Sequence, residues 1–336
     1  MEYRQLSGTD IAVSRLGLGG IPLQKAEPEQ VANLVAAAAD HGINFIDTAR
    51  GYGASETLLG QALKGYRSRF LLASKSMARE RETMLKDIET SLRLLQTDYL
   101  DFYQLHNLRT TADWQQVTSP GGALEALFLA RERGWVRWVG VTSHSAEIMA
   151  QAIKSSLFVS MMFPYNVVEQ QNRGLFQSAR EHGLLTLAMK PLAGGFIPAA
   201  EQALRWLAAD PAVDCLLVGM ASAAEVTANV QALAQGALGI EEEEKLLTWA
   251  QAAGQEFCRR CGYCLPCPQQ IDIPMVFLLE GYYDRYDLKE WAQERYAALP
   301  VPASQCQACG QCQEKCPYQL PIPAKLARAA GKLASS

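Results

Sequence analysis

Eight short apolar stretches alternate with longer helical stretches up to residue 219, and this alternation constrains the fold of the chain more than any other feature. The apolar stretches are SRLGLGG, INFID, FLLASK, YLDFYQLH, VRWVGVTS, LFVSMMF, LLTLAMK and VDCLLVG. Several of the segments between them, such as VANLVAAAADHG and TMLKDIETSLRLLQT, carry apolar residues at helical spacing. Near-continuous apolar strands that alternate with helices predict a parallel sheet covered by helices.

Eight such units within about 250 residues correspond to the size of a (β/α)8 barrel. The predicted fold class is therefore α/β, a TIM barrel, followed by a small, mainly helical C-terminal domain. A doubly wound open sheet is the rival, and a GxGxxG turn after the first strand would favour it. The corresponding segment, GLGGIPL, lacks that spacing.

Three of the helical segments end in a basic residue followed by glycine: His41-Gly42, Arg133-Gly134 and His182-Gly183. Glycine suits the left-handed position just after a helix, and a cation suits the negative end of the helix. We therefore expect the two histidines to cap helices and not to bind ligands.

Composition and charge exclude several classes of function. The net charge of −4 over 336 residues gives no electrostatic basis for nucleic-acid binding. No apolar run reaches the roughly 18 residues that a membrane span needs. The N-terminal segment MEYRQLSGTD has no basic region followed by an apolar stretch, so a secretory signal is not expected. These features predict a cytoplasmic protein with neither a nucleic-acid nor a membrane partner.

Four titratable residues lie at or just beyond the ends of three consecutive predicted strands: Asp47, Tyr52, Lys75 and His106. The chemistry of a (β/α)8 barrel lies at the C-terminal ends of its strands. A carbonyl that receives hydride needs a proton, which Tyr52 would supply as a general acid. A free phenol has a pKa of about 10, which the ammonium of Lys75 would lower. Asp47 would hold Lys75, and His106 would orient the substrate oxygen.

The segments INFIDTARGYGASETLLGQAL, SK and YQLH resemble the signature of the aldo-keto reductase family, and the resemblance covers nearly all of residues 1 to 235. It implies a (β/α)8 barrel that interconverts a small carbonyl and an alcohol, with a nicotinamide cofactor bound without a Rossmann fold. It also implies the catalytic roles just described for the four strand-end residues.

The resemblance further implies contacts to the cofactor on the later strands. GVTSHS resembles the segment that binds the carboxamide, AMKPLAGG resembles the loop over the pyrophosphate, and GMASAAEVTANV resembles the helix start at the adenosine end. The implied contacts are Thr142, Ser143, His144, Lys190, Leu192, Gly194, Gly195, Gly219, Ser222, Glu225 and Asn229.

Several positions depart from the family pattern. Ser143 stands where Asn is usual, Met162 where Gln is common, and Met189 where an aromatic ring often stacks on the nicotinamide. These departures leave room for a flavin as an alternative cofactor. Ala221 and Glu225 stand where Arg is common, and a carboxylate would repel a 2′-phosphate and accept a hydrogen bond from a free ribose hydroxyl. NAD(H) is therefore expected over NADP(H).

The cysteines divide the chain at about residue 257. Before that point only Cys215 occurs, in an apolar run, and it is expected to be a buried structural thiol. The other eight form two runs, each closed by a proline: Cys258, Cys261, Cys264 and Cys267, then Cys306, Cys309, Cys312 and Cys316. The second run has the bacterial ferredoxin spacing C-x2-C-x2-C-x3-C-P. The domains are thus predicted as 1–255, the barrel, and 256–336, a ferredoxin-like domain.

In two-cluster ferredoxins the fourth cysteine of each run binds the other cluster. By that pattern, one [4Fe–4S] cluster takes the first three cysteines of the first run with Cys316, and the other takes the first three of the second run with Cys267. Zinc is the alternative, but it prefers pairs of Cys-x2-Cys and leaves the third cysteine of each run without a role. The segment between the runs, rich in Tyr and Trp, is expected to form one or two helices.

Three functions follow from these features. The first is an aldo-keto reductase-type oxidoreductase that carries two clusters, either for electron transfer or for structure. The second is an electron-transfer protein whose barrel holds a different redox cofactor or docks a redox partner protein. The third is a zinc-stabilised binding module. Residues 107 to 122 are expected to form a loop that lines the substrate pocket.

Overall fold

The computed structural model describes residues 1–6, 8–9 and 11–334 and divides into two compact units. The first unit comprises Met1–Asn166, Gln170–Pro191 and Ala200–Gly239, and the second comprises Val167–Glu169, Leu192–Ala199 and Ile240–Ser336. A domain boundary between residues 255 and 256 stays a prediction.

The first unit is built on a closed barrel of eight parallel strands, as the alternating sequence pattern predicted. The strands of the barrel are β3 (Leu16–Gly19), β4 (Phe45–Asp47), β5 (Leu71–Ser76), β6 (Leu100–Leu108), β7 (Val136–Ser143), β8 (Ser160–Pro164), β9 (Leu185–Met189) and β10 (Cys215–Gly219). Each strand pairs with its neighbour in the sequence, and β10 closes the ring by pairing with β3. This topology brings the C-terminal ends of all eight strands to one face of the barrel.

Helices connect these strands, and apart from α4 they lie in segments for which the sequence predicted helices. The helices of the first unit are α1 (Pro28–Asp40), α2 (Ser55–Ala62), α3 (Arg81–Leu94), α4 (Thr111–Thr118), α5 (Ala123–Glu132), α6 (Ala146–Lys154), α7 (Arg173–Glu181), α8 (Ala200–Ala208) and α9 (Ala223–Ala234). His41 and His182 follow the last residues of α1 and α7. Gly42 and Gly183 have φ angles of 76° and 78°, so the predicted left-handed helix ends are confirmed.

A two-stranded antiparallel hairpin, β1 (Tyr3–Gln5) and β2 (Ala12–Ser14), precedes the barrel and was not predicted. Leu6 and Val13 pack into a core that includes Phe45 and Cys215, the first residues of β4 and β10. The hairpin therefore covers the apolar interior at the N-terminal end of the barrel. Cys215 is completely buried in this core, which confirms its prediction as a structural thiol.

The prediction of a loop over residues 107 to 122 was wrong, because α4 lies within it. The hydroxyl of Thr110 accepts a hydrogen bond from the N–H of Asp113 at 3.0 Å, and the Asp113 carboxylate accepts one from the N–H of Thr110 at 3.2 Å. This reciprocal capping box begins the helix. Asp113 replaces the usual Glu or Gln at its third position, which weakened the sequence signal.

The second unit contains helices and its own apolar core. Its helices are α10 (Ile240–Ala253), α11 (Ile273–Arg285), α12 (Lys289–Ala297), α13 (Gln311–Glu314) and α14 (Ile322–Leu333). The segment between the two cysteine runs forms α11 and α12, as predicted. Val276, Ala292 and Ala329 are completely buried and belong to one core that also contains Cys264 and Cys312. Among the described residues, no helix is both long and apolar enough to cross a membrane.

The packing of α2 against the end of α3 predicts an effect of Gly60→Ala on stability. A Cβ at Gly60 would lie 2.9 Å from the Leu95 Cα and would also press on the carbonyl oxygen of Leu94. Because backbone atoms cannot rotate away, we expect a loss of about 1–3 kcal/mol of unfolding free energy. Thermal unfolding followed by circular dichroism would show this as a lower midpoint.

Gly174→Ala is the matched control, because Gly174 also lies in a helix but nothing stands within 4 Å of its Cβ position. Alanine has the higher helix propensity, so this variant should keep or slightly raise the midpoint. Equal midpoints for the two variants would contradict the proposed contact.

Candidate active site and cluster-binding unit

A buried ion pair joins the C-terminal ends of β4 and β5. The Nζ of Lys75 lies 2.5 Å from the Oδ2 of Asp47 and also donates to the carbonyl of Thr48 at 2.9 Å. Burial lowers the pKa of Lys75, and the charge of Asp47 opposes this shift. Burial likewise raises the pKa of Asp47 against the charge of Lys75. Each charge is therefore stabilised by the other and by nearby polar groups instead of by water.

Gln104 completes the surroundings of this ion pair and was not predicted. Its Nε2 donates to the Oδ1 of Asp47 at 3.2 Å, so both carboxylate oxygens are bound. Gln104 lies directly opposite Lys75 in the pairing of β5 with β6. It stands two residues before His106 on the same face of β6, and this two-residue period is a signal from which it could have been found.

Tyr52 and His106 lie beside the buried pair. The Nζ of Lys75 is 4.8 Å from the centroid of the Tyr52 ring. The Tyr52 and His106 rings meet edge to face, with their centroids 6.0 Å apart. The four titratable residues that the sequence singled out thus converge at the ends of three adjacent strands.

His106 is held in its neutral form. Burial lowers its pKa well below the ordinary value, and the charges of Lys75 and Arg79 lower it further. The residue keeps partial exposure to solvent. Its Nδ1 is buried and has no hydrogen-bond partner within the described ranges.

A bulge at the end of β6 sets the direction of the His106 side chain. The pairing of β6 with β7 shifts register between Leu105 and Leu108, and Asn107 has a φ of 53°. The guanidinium of Arg79 donates to the carbonyl of His106 at 3.1 Å and to that of Asn107 at 3.0 Å. Bulges of this kind redirect side chains near active sites. Arg79 is therefore a positioning residue that the sequence analysis missed.

The predicted carboxamide-binding residues reach the same strand ends, but they contact the β6 bulge. The Thr142 hydroxyl accepts from the N–H of Asn107 at 2.7 Å, and the Ser143 hydroxyl donates to the carbonyl of Leu108 at 2.6 Å. The Nδ1 of His144 lies 2.9 Å from the Oδ1 of Asn107. All three side chains therefore brace β6, and their roles in cofactor binding stay predictions.

The candidates for the adenosine end lie at the end of β10 and on α9. Ser222 caps α9 by accepting from the N–H of Glu225 at 3.3 Å, while the Glu225 carboxylate accepts from the N–H of Ala221 at 2.9 Å. Asn229 follows Glu225 by one helical turn, and Gly219 lies against the ring of Pro22. The helix contains no Arg or Lys, so Glu225 gives its N-terminus a negative charge.

The predicted pyrophosphate-binding positions are divided between the two units. Lys190 belongs to the first unit, whereas Leu192, Gly194 and Gly195 belong to the second. Within the second unit, a Cβ at Gly194 would lie 2.8 Å from the ring of Tyr286. The backbone there is tightly packed, and its role in binding a pyrophosphate stays a prediction.

The two cysteine runs of the second unit have the same backbone conformation around their second cysteine. The residue before the second cysteine of each run is left-handed, with φ of 56° at Arg260 and 51° at Ala308. The glycine after that cysteine is left-handed too, with φ of 84° at Gly262 and 81° at Gly310. Turns of this type direct successive backbone N–H groups towards one point and are frequent at iron–sulfur sites.

Electrostatic interactions connect each run to the last cysteine of the other. Burial raises the pKa of Cys258, Arg260 opposes the rise, and the charges of Cys261 and Cys316 add to it. Burial also raises the pKa of Cys312, with further contributions from Cys306, Cys267 and Cys309. Cysteines from both runs therefore lie near one another, as two four-cysteine sites with exchanged fourth ligands would require.

A single zinc ion and a multi-iron cluster require different arrangements of four cysteines. Among the described residues, no three His, Cys, Asp or Glu side chains converge closely enough to hold one metal ion. Zinc requires four sulfurs, each about 2.3 Å from one centre. A cluster of four irons spreads the same four sulfurs over a larger body.

Fold and site together define the protein as an oxidoreductase-type barrel joined to a cysteine-rich unit. The model of the aldo/keto reductase family matches residues 15–202, more than half of the chain. A model described as a 4Fe-4S dicluster domain matches residues 257–321. The chain belongs to the aldo/keto reductase family and carries a 4Fe-4S dicluster domain after the barrel.

Known proteins and structures resemble the barrel over most of their own length. "Uncharacterized oxidoreductase YqkF" of Bacillus subtilis is 25% identical, over 74% of this chain and 95% of the relative. The holo form of aldo-keto reductase AKR11C1 from Bacillus halodurans is 27% identical, with a TM-score of 0.66, over 74% of this chain and 96% of that structure. An aldo/keto reductase from Klebsiella pneumoniae in complex with NADP and acetate is 28% identical, with a TM-score of 0.60, over 71% and 92%.

The depressed pKa of His106 predicts a pH dependence of stability. The unfolded chain binds a proton at this residue below a pH of about 6.5, whereas the folded chain does not. Stability should therefore fall as the pH decreases below about 6.5, by up to about 1.4 kcal/mol per pH unit from this group. His106→Gln should reduce this slope in denaturant unfolding between pH 7 and pH 5.

His182→Gln controls for the loss of a histidine, because His182 is exposed at the end of α7. A His106→Gln variant with the slope of the unsubstituted protein would show that His106 protonates equally in both states.

Proposed function

We propose that the protein reversibly reduces a small aldehyde or ketone to an alcohol, with Tyr52 as the general acid and base. The observation that carries this proposal is the convergence of Tyr52, His106 and the buried Lys75–Asp47 pair at one face of the barrel. A nicotinamide bound at that face would supply the hydride.

Each of the four residues has a distinct role in this proposal. Tyr52 gives its hydroxyl proton to the carbonyl oxygen, and the Lys75 ammonium, 4.8 Å from the ring centroid, stabilises the phenolate that forms. Asp47 keeps Lys75 charged and fixed. Neutral His106 donates an N–H to the same substrate oxygen and orients it. Because His106 is already neutral, it does not compete with Tyr52 as the proton donor.

NAD(H) is the proposed cofactor in preference to NADP(H). The K. pneumoniae structure contains NADP, which supports a nicotinamide cofactor but does not decide the presence of a phosphate. The carboxylate of Glu225, at the start of a helix without basic residues, would repel a 2′-phosphate. The preference for NAD(H) therefore depends on Glu225.

The second unit is proposed to hold two [4Fe–4S] clusters. The first has the ligands Cys258, Cys261, Cys264 and Cys316, and the second has Cys306, Cys309, Cys312 and Cys267. The first set has two cysteines buried in the apolar core, Cys264 and Cys316, and the second has one, Cys312. One cysteine of each set, Cys261 or Cys309, is exposed. A cluster with one ligand at the surface can exchange electrons with an external donor, so we assign the clusters to electron transfer.

A flavin-linked electron-transfer protein is the second candidate function. A hydride carries two electrons, whereas each cluster accepts one. A flavin could accept the two electrons together and pass them on one at a time. Met162, where the family commonly has Gln, is buried and packs in the apolar interior of the barrel. This packing removes one expected polar contact to a nicotinamide.

Tyr52→Phe tests the catalytic proposal. It should lower kcat for reduction of a test aldehyde by about 10²–10⁴-fold, because the general acid is lost. NADH binding to this variant, measured by fluorescence quenching, should persist. In the unsubstituted protein, kcat/KM should be higher with NADH than with NADPH. Tyr66→Phe is the control for removing a phenol hydroxyl elsewhere in the barrel. Full activity in Tyr52→Phe would refute the assignment.

An absorption spectrum of anaerobically purified protein tests the cofactor content. Two clusters require about eight irons per chain and a broad band that bleaches with dithionite. Bleaching by NADH, with flavin bands present, would support the electron-transfer candidate. A colourless protein that contains zinc would contradict the cluster proposal, whereas aldehyde reduction with an unbleached band would leave the clusters without a role in that reaction.

A further inference from the structure

The two cysteine runs repeat each other closely enough that their residues correspond in pairs. Besides the left-handed residues inside each run, the third residue after the last cysteine is left-handed in both, at Gln270 and Gln319. Their N–H groups donate to the carbonyls of Cys267 and Cys316 at 2.8 Å and 3.0 Å. Arg260 therefore corresponds to Ala308, and Arg259 corresponds to Gln307.

Arg259 places a cation next to the first proposed cluster. Its guanidinium donates to the carbonyls of Gly254 at 2.8 Å and Val168 at 3.2 Å. It lies 3.8 Å from the ring centroid of Tyr318, two residues after the cluster ligand Cys316. These contacts fix the positive charge beside the cluster site.

The corresponding pair in the other run is neutral. Gln307 takes the place of Arg259, and Gln269, two residues after Cys267, takes the place of Tyr318. The Nε2 of Gln269 donates to the Oε1 of Gln307 at 3.2 Å. The contact between the two runs therefore occurs in both halves of the repeat. In one half it joins the Arg259 cation to the Tyr318 ring, and in the other it joins two uncharged amides.

Arg260 adds a second charge to the first run. Its Nη2 lies 3.0 Å from the Oε1 of Glu169, and both side chains are almost completely buried. Glu169 offsets one of the two arginine charges, so about one positive charge remains. Ala308 contributes none, and the exposed Glu314 and Lys315 beside the second run have opposite signs.

We propose that Arg259 and Arg260 give the cluster bound by the first three cysteines of the first run and Cys316 the higher reduction potential of the two. Reduction adds one negative charge to a cluster, and a nearby fixed cation stabilises that charge. One electron therefore passes from the reduced second cluster to the oxidised first cluster, without a change in protons or bonds. This inference rests on the proposed presence of two clusters.

The test is a redox titration of the full-length anaerobic protein, followed by electron paramagnetic resonance. The unsubstituted protein should show two one-electron waves. In R259Q/R260A the midpoint potential of the higher wave should fall by about 59 mV, which is a tenfold change in the equilibrium constant for one electron. The midpoint potential of the lower wave should not change. R260K keeps the charge and should keep the higher wave.

The reciprocal variant, Q307R/A308R, keeps the test decisive if R259Q/R260A fails to assemble. Both positions are exposed, and Ala308 already has the left-handed backbone that Arg260 adopts. This variant should raise the lower wave by a similar factor and bring the two waves together.

Iron content separates the two possible failures. Fewer than about eight irons in the unsubstituted protein would contradict the two-cluster proposal itself. Eight irons, with waves that neither variant moves, would overturn the inference and leave the cluster assignment standing. A fall of the lower wave in R259Q/R260A would also overturn it, since the arginines would then act on the other cluster.

Discussion

The buried contact between Lys75 and Asp47 is the interaction on which the candidate active site depends. Removing one partner of such a pair costs about 3–5 kcal/mol, because the other charge remains buried without compensation. The two residues come from adjacent parallel strands, so the backbone pairing of the barrel, and not a loop, fixes their separation. Gln104 holds the second carboxylate oxygen from the next strand. Residues from three neighbouring strands thus hold the ammonium group of Lys75 at a fixed position beside Tyr52.

The barrel fixes the positions of the strand ends, and the bulge in β6 sets the direction of the His106 side chain there. A regular strand would continue its alternation past Leu105, whereas the register shift and the left-handed Asn107 turn the chain. Arg79 holds this turn through two carbonyl groups, and Thr142 and Ser143 hold it from β7. The charge of Arg79 also lowers the pKa of His106. The same guanidinium therefore positions the imidazole and helps to keep it neutral.

Local patterns in the sequence predicted the features that depend on local physics. The eight barrel strands followed from apolar runs, and the helix ends at His41 and His182 followed from the glycines after them. The β1–β2 hairpin was missed because each strand has only three residues. Arg79 and Gln104 were missed because their partners lie on other elements. Thr142 and Ser143 show the same limit. The sequence predicted that they lie at a strand end, but not that their hydroxyl groups bind the backbone of β6.

The proposed direction of electron transfer in the second unit depends on side chains in which the two halves of the repeat differ. The turns around the second cysteine of the two runs have matching backbone conformations, so the peptide dipoles there are alike and the charged side chains differ. The charges differ at the positions where the repeat makes its equivalent contacts, with an arginine over Tyr318 in one half and an amide pair in the other. In this proposal the cysteine thiolates bind the clusters, and a few neighbouring side chains set the order of the reduction potentials. A change in that order would require substitutions at these side chains and no change of fold.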